Sequence, residues 1–253
     1  MRVGQAALVL AVLAGWTFAA ARWIDPLFIS TPRAVLDELV TLIASGQLGR
    51  HLGITLAEVL TGYLAGGVAG LGLAFVISQT PTFGLLIEPF VLACYAVPRV
   101  ALAPLIIMWF GIGFLPKIVL AGTLVFFLVF MNSLTGFRNV SPELVGVARV
   151  MGASRCHVLT KIVLWSAMPY LLATLRLSLP SAVIGAIIGE FISANRGLGY
   201  LISAMSSQFN TAGVFAGIIS LMVVVATLDL VAAAIERRLL RWRPRPALGR
   251  EAM

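Results

Sequence analysis

A chain of 253 residues that is 60% hydrophobic and 11% charged, with a mean hydropathy of +1.02, is neither a soluble globular enzyme nor a disordered protein. The net charge of +8 comes from Lys and Arg residues that flank apolar runs and form no basic face, which argues against a nucleic-acid partner. Composition therefore predicts an all-α integral membrane protein.

A membrane-crossing helix needs about 20 mostly apolar residues. Six stretches approach that length, at 6–21, 59–77, 89–110, 118–137, 170–192 and 212–235. The first also fits a cleavable signal peptide, with Arg2, an apolar run and Ala19-Ala20-Ala21. Gly62, Gly66 and Gly70 in the second span share one helix face and predict close packing. The third span carries Arg99 between Pro98 and Pro104, and the prolines predict a bend. An intramembrane arginine pairs or faces a polar cavity. Arg99 is thus a candidate pathway residue for an anion, or a structural residue paired with Glu190 or with backbone carbonyls. Asn132 in the fourth span and Glu190 in the fifth are the other pathway candidates; Asn132 is alternatively a polar tie between helices, and Glu190 has Arg99 or Arg196 as an alternative partner. Arg176 is expected to snorkel near one membrane face, and Asp229 to pair with an arginine at its own level.

Between the fourth and fifth spans lies a loop dense in helix signals. Ser141 is the expected N-cap, Pro142 the first helical residue, and Glu143 favours the helix dipole. Leu144, Val147, Ala148 and Met151 follow as one apolar stripe, Gly152 stops the helix, and Ser154 caps the next. Such a helix lies on the bilayer or docks in a partner's groove. The small residues Ala148 and Gly152 favour docking.

Positive charges place the loops. With both termini inside, the cytoplasmic set holds eleven Lys and Arg residues (Arg2, Arg138, Arg149, Arg155, Lys161, Arg237, Arg238, Arg241, Arg243, Arg245, Arg250). The outside set holds five: Arg22, Arg33, Arg50, Lys117 and Arg196. The basic tail is expected to lie against anionic lipid. Three regions result: an N-terminal helix with an external segment (1–54), a core (55–236) and a basic cytoplasmic tail (237–253). Cys94 and Cys156 lie far apart, and His51 and His157 have no neighbouring ligand set, so neither a disulfide framework nor a metal site is expected. The sequence holds no phosphate loop of the G-x-x-x-x-G-K-[ST] type and no catalytic constellation. ATP hydrolysis, if it drives this protein, belongs to another chain.

The run Val147-Ala148-Arg149-Val150-Met151-Gly152-Ala153-Ser154, with Val163-Leu164 and Pro169-Tyr170, resembles the EAA loop of binding-protein-dependent ABC importer permeases. Further stretches resemble the nitrate/sulfonate/taurine subfamily: Ser30-Thr31-Pro32 with Val35, Val97 to Leu105, and Trp109 to Gly113. Gly189-Glu190-Phe191, Arg196 to Tyr200, and Glu236-Arg237-Arg238 with Trp242 extend the likeness. Two departures stand out: Gly146 replaces the usual glutamate, and Trp165 replaces the usual proline. The resemblance implies a type I, MetI-like permease fold with a cytoplasmic coupling helix. It implies that Glu143, Leu144, Val147, Ala148, Arg149, Met151, Gly152 and Ala153 contact an ATPase. It also implies two ATPase copies carrying ATP and Mg, a second permease copy, an external or periplasmic solute-binding protein, and a location in the bacterial inner membrane. The chain itself is expected to hold no cofactor. A secondary transporter or channel without an ATPase is the rival reading.

Overall fold

The computed structural model describes residues 2–22, 28–193 and 195–242. Residues 23–27 and most of the basic tail, including Arg243, Arg245 and Arg250, lie outside the described residues. Among those described, the only regular elements are helices.

The chain opens with α1 (Arg2–Arg22) and the shorter α2 (Pro32–Ala44). In α2, Thr31 caps the N-terminus by accepting a bond from the Ala34 N–H, and Pro32 occupies the first turn. Then comes α3 (Gln47–Gln79), 33 residues long and unbroken. The expected boundary between 54 and 55 thus falls inside a helix. The expected third span is not one helix. It divides into α4 (Pro81–Ala96), a 3₁₀ turn (Arg99–Leu102) and α5 (Ala103–Phe110). The two arms are bent by 80°. Pro98 causes the break: its ring bars the α conformation at the preceding residue, and Val97 is extended at ψ 129. Pro104, in the first turn of α5, is tolerated there.

Next come α6 (Phe114–Arg138), α7 (Pro142–Val150) and a single turn, α8 (Arg155–His157). A π-helical stretch (Val158–Val163) leads into α9 (Leu164–Ser193). The chain then runs through α10 (Leu198–Ser207) and α11 (Thr211–Leu239). Four described helical runs are long and apolar enough to cross a membrane, or five if the bent α4–α5 pair is one span. Helix α1, whose 21 residues reach about 30 Å, covers the first expected stretch.

The core is α6 packed between α3 and α9. Val59 from α3, Ala121, Val125 and Val129 from α6, and Ala182, Val183 and Ala186 from α9 are buried together. The glycine face of α3 makes this contact possible. A Cβ at Gly62 would fall 2.7 Å from the Ala121 Cβ, and one at Gly70 would fall 2.6 Å from the Phe126 carbonyl oxygen. A Cβ at Gly66 would overlap the Gly122 carbonyl. Gly185 of α9 repeats the device: a Cβ there would fall 2.5 Å from the Ala121 Cα. The expected close packing is therefore within the chain, where dispersion contacts and small residues hold membrane helices together.

Candidate functional site

The segment after α6 builds a small rigid platform. Helix α7 ends in a complete Schellman motif: the Gly152 N–H donates to the Arg149 carbonyl and the Ala153 N–H to the Ala148 carbonyl, both at 3.0 Å. Gly152 takes φ +81, which explains why glycine stops the helix here. Ser154 accepts a bond from the His157 N–H and starts the next helix as expected. Ser141 occupies the N-cap position of α7 but makes no side-chain cap bond.

The stripe on α7 divides between two faces. Val145, Ala148 and Ala153 turn inward and pack on the cluster around Phe137, Val158 and Val163. Leu144, Val147, Val150 and Met151 face outward, with Val150 91% and Met151 82% exposed. Ala148 packs against the helices behind it, and Gly152 stops the helix through its left-handed backbone; nothing lies within 4 Å of a Cβ there. Glu143 and Arg149 are exposed on the same helix. Arg149 and Ala153 line a cavity of about 490 Å³ with Gln79, Arg155, Val158 and Leu159. Beside this platform, Trp165 and Trp242 meet edge to face with centroids 6.3 Å apart, which places the end of α11 next to the start of α9.

The three pathway candidates are not brought together. Arg99 lies beside Phe127 of α6, its guanidinium 4.7 Å from that ring and 4.5 Å from Tyr95. Asn132 is five residues further along α6, about 7 Å, exposed, and donates to its own helix at Leu128. Glu190 lies at the Lys117 end of α6 and is 1% exposed. It does not pair with Arg99 or Arg196, and a side chain so enclosed does not line an open pathway in this conformation.

Glu190 belongs instead to a buried polar knot that sequence reasoning missed. Its carboxylate accepts from the Thr55 hydroxyl at 2.6 Å and the Gly199 N–H at 2.5 Å. Thr55 in turn accepts from the Leu198 N–H, and His51 Nδ1 accepts from the Gly197 N–H at 3.0 Å. One turn along α3, Glu58 accepts from Lys117 Nζ at 2.6 Å, with exposures of 0% and 5%. Glu190 is near enough to Glu58 to interact with it. Two carboxylates and one ammonium thus tie α3, α6, α9 and the turn before α10 together. In the sequence Lys117 reads as a loop charge, because the expected span 118–137 begins after it. The signal available was the charge pair just beyond two apolar runs, Glu58 before 59 and Lys117 before 118.

At the α7 end the ion pairs are more exposed. Arg176 holds Asp229 through two bonds of 2.7 and 2.9 Å and reaches Glu236 at 3.4 Å, as expected for Asp229. Arg138 holds Glu88 through bonds of 3.0 and 2.8 Å, which fixes α4 against α6.

Span-length apolar helices, a broken span and a loop helix with an exposed apolar face describe a multi-span helical membrane protein. Residues 62–241 match the family of binding-protein-dependent transport system inner membrane components. The chain belongs to that family. It is 31% identical over 247 residues to the taurine transport system permease protein TauC of Escherichia coli (strain K12), covering 96% of this chain and 89% of that one. It is 34% identical over 215 residues to a putative aliphatic sulfonates transport permease protein SsuC of Bacillus subtilis (strain 168), covering 85% and 78%. A riboflavin transport system permease protein, RibX of Chloroflexus aurantiacus, is 31% identical over 218 residues, covering 86% and 81%. A bacterial ABC transporter involved in the import of the acidic polysaccharide alginate shares the fold at a TM-score of 0.67, with 19% identity, over 90% of this chain and 89% of that one. The inward-facing MetNI methionine ABC transporter shares it at 0.64, with 19% identity, over 73% and 92%. The chain is thus an ABC importer permease with taurine and sulfonate relatives.

Proposed function

We propose that this permease is the membrane subunit of an ATP-driven importer for a small anionic solute of the sulfonate or taurine kind. Two copies form the pathway, two cytoplasmic ATPase chains carrying ATP and Mg dock on α7, and an external solute-binding protein delivers the solute. Both termini face the cytoplasm of the bacterial inner membrane, so that α7 and the Arg237–Arg238 end share the ATPase side. The observation that carries the ATPase coupling is the outward face of α7, where four apolar side chains stand exposed on a helix clamped at its C-terminal end. A helix held this way transmits displacement to the π-helical stretch and α9 without being absorbed by its own unfolding. The sulfonate class comes from the named functions of TauC and SsuC. A separate feature agrees with it: Arg99 carries a positive charge with no carboxylate among its described partners.

The test is affinity purification of the tagged chain in mild detergent, followed by mass spectrometry and uptake assays. A co-purifying ATPase that is lost on Val147→Asp or Met151→Asp, with membrane insertion retained, is the expected result. A chain that purifies alone and transports without an ATPase would establish the secondary-transporter reading instead.

A further inference from the structure

The break in the third span creates a small pocket that differs from the other cavities of the fold. It measures about 170 Å³ and is lined by Cys94, Val97, Arg99, Leu102, Ile106, Thr123 and Phe127. That is below the several hundred Å³ of a site for a drug-sized ligand. Its walls are mostly apolar, and its one charged group is the Arg99 guanidinium.

That guanidinium is held but not neutralised. The rings of Tyr95 and Phe127 approach it at 4.5 and 4.7 Å. Cation–π attraction to the two rings restrains its position. One terminal nitrogen donates to the Tyr95 carbonyl at 2.6 Å. The buried Nε has no partner. A guanidinium presents five N–H donors in a planar fork suited to carboxylate-like oxyanions, and here a single one is used by the protein. A buried donor without an acceptor costs roughly 1–3 kcal/mol, more for a charged group, so the fork is left with donor capacity that the protein does not use. The local backbone explains the arrangement: the 80° bend at Val97–Pro98 turns the first residues of the 3₁₀ turn toward Thr123 and Phe127 of α6.

The geometry points to a selectivity pocket at Arg99 for a small organic oxyanion with a short apolar body, its head on the guanidinium fork and its body against Val97, Leu102 and Ile106. The inference rests on the anion-importer reading above and narrows it. A short apolar body is covered by this lining, long alkyl chains and bicyclic aromatic solutes extend beyond it, and inorganic anions leave its apolar wall unused.

The test uses the complete transporter, with its ATPase and binding protein, in cells and in reconstituted vesicles. The probes are ethanesulfonate and octanesulfonate. Expected are preferred import of ethanesulfonate and, in Arg99→Ala, a drop of tenfold or more in its uptake while the ATPase still co-purifies. Arg99→Lys, which keeps charge but loses the fork, should fall between. Leu102→Ala enlarges the pocket and should narrow the ratio of the two uptake rates severalfold. If wild-type protein imports ethanesulfonate and Arg99→Ala imports it equally well, the pocket is overturned while the importer reading stands. If Arg99→Ala fails to assemble, Leu102→Ala decides, and an unchanged ratio overturns the pocket. If the wild-type transporter imports neither sulfonate, the substrate class itself is wrong and the pocket falls with it.

Discussion

Replacing Lys117 by methionine tests the buried knot at the end of the bundle opposite α7. Methionine keeps most of the aliphatic stem, against which Gly189 packs so closely that a Cβ there would fall 2.9 Å from the Lys117 Cγ. The substitution therefore removes a charge without opening a large void. What it leaves behind is Glu58, fully enclosed, with Oε2 already unpartnered and Glu190 close by. Breaking a buried ion pair by removing one member costs about 3–5 kcal/mol. For a chain of this size each kcal/mol moves the melting point by about 2–4 °C, so Lys117→Met should melt about 10 °C lower. The assay is thermal unfolding of the purified complex followed by size-exclusion chromatography. The control is Glu58→Leu combined with Lys117→Met, because replacing both members of a buried pair by apolar groups is often nearly neutral. The double variant should recover most of the loss, since Glu190 keeps its bonds from Thr55 and Gly199. A Lys117→Met protein as stable as wild type, or a double variant no better than the single one, would refute the reasoning.

Other substitutions probe separate parts of the fold. Gly66→Ala drives a methyl group into the Gly122 carbonyl and should cost at least the 1–3 kcal/mol typical of overpacking. Gly72→Ala on the same helix meets open space and should be neutral or gain up to about 1 kcal/mol, which thermal melts of the pair will show. Gly197→Ala meets both a φ of +116 and the Glu190 carboxylate, and should loosen the turn before α10, read as faster proteolysis there. Gly146→Ala, exposed and unobstructed in the middle of α7, should stabilise that helix by about 0.5–1 kcal/mol and slow its hydrogen exchange up to about fivefold.

Much of the frame is readable from the amino-acid order because it rests on local physics. Apolar runs of span length report membrane helices wherever they fall, and Gly62, Gly66 and Gly70 report a close-packing face by spacing alone. Pro98 carries its own conformational rule, so the bend was foreseeable although its 80° size was not. Gly152 and Ser154 likewise mark the turn after α7 through backbone preferences. Helix limits were less legible. The first three turns of α3, 47–58, hold Arg50, His51 and Glu58 and read as loop, because hydropathy penalises a charge without knowing its partner.

The pairing of distant side chains was decided only in three dimensions. Lys117 reads as a loop cation in the sequence and is a buried partner of Glu58, 59 positions away. Glu190 reads as a pathway acid and is held by Thr55 and Gly199. Ala148 reads as part of a docking stripe and faces the helices behind it, because rotation of a short helix about its axis depends on what packs against it. Sequence alone thus determined the membrane-helix class, the bend at Pro98 and the loop helix, since each is written in contiguous residues. Tertiary structure decided which charges are satisfied, which apolar residues remain uncovered, and that Arg99 stands between two aromatic rings with a buried donor unused, since each depends on helices that meet only after folding.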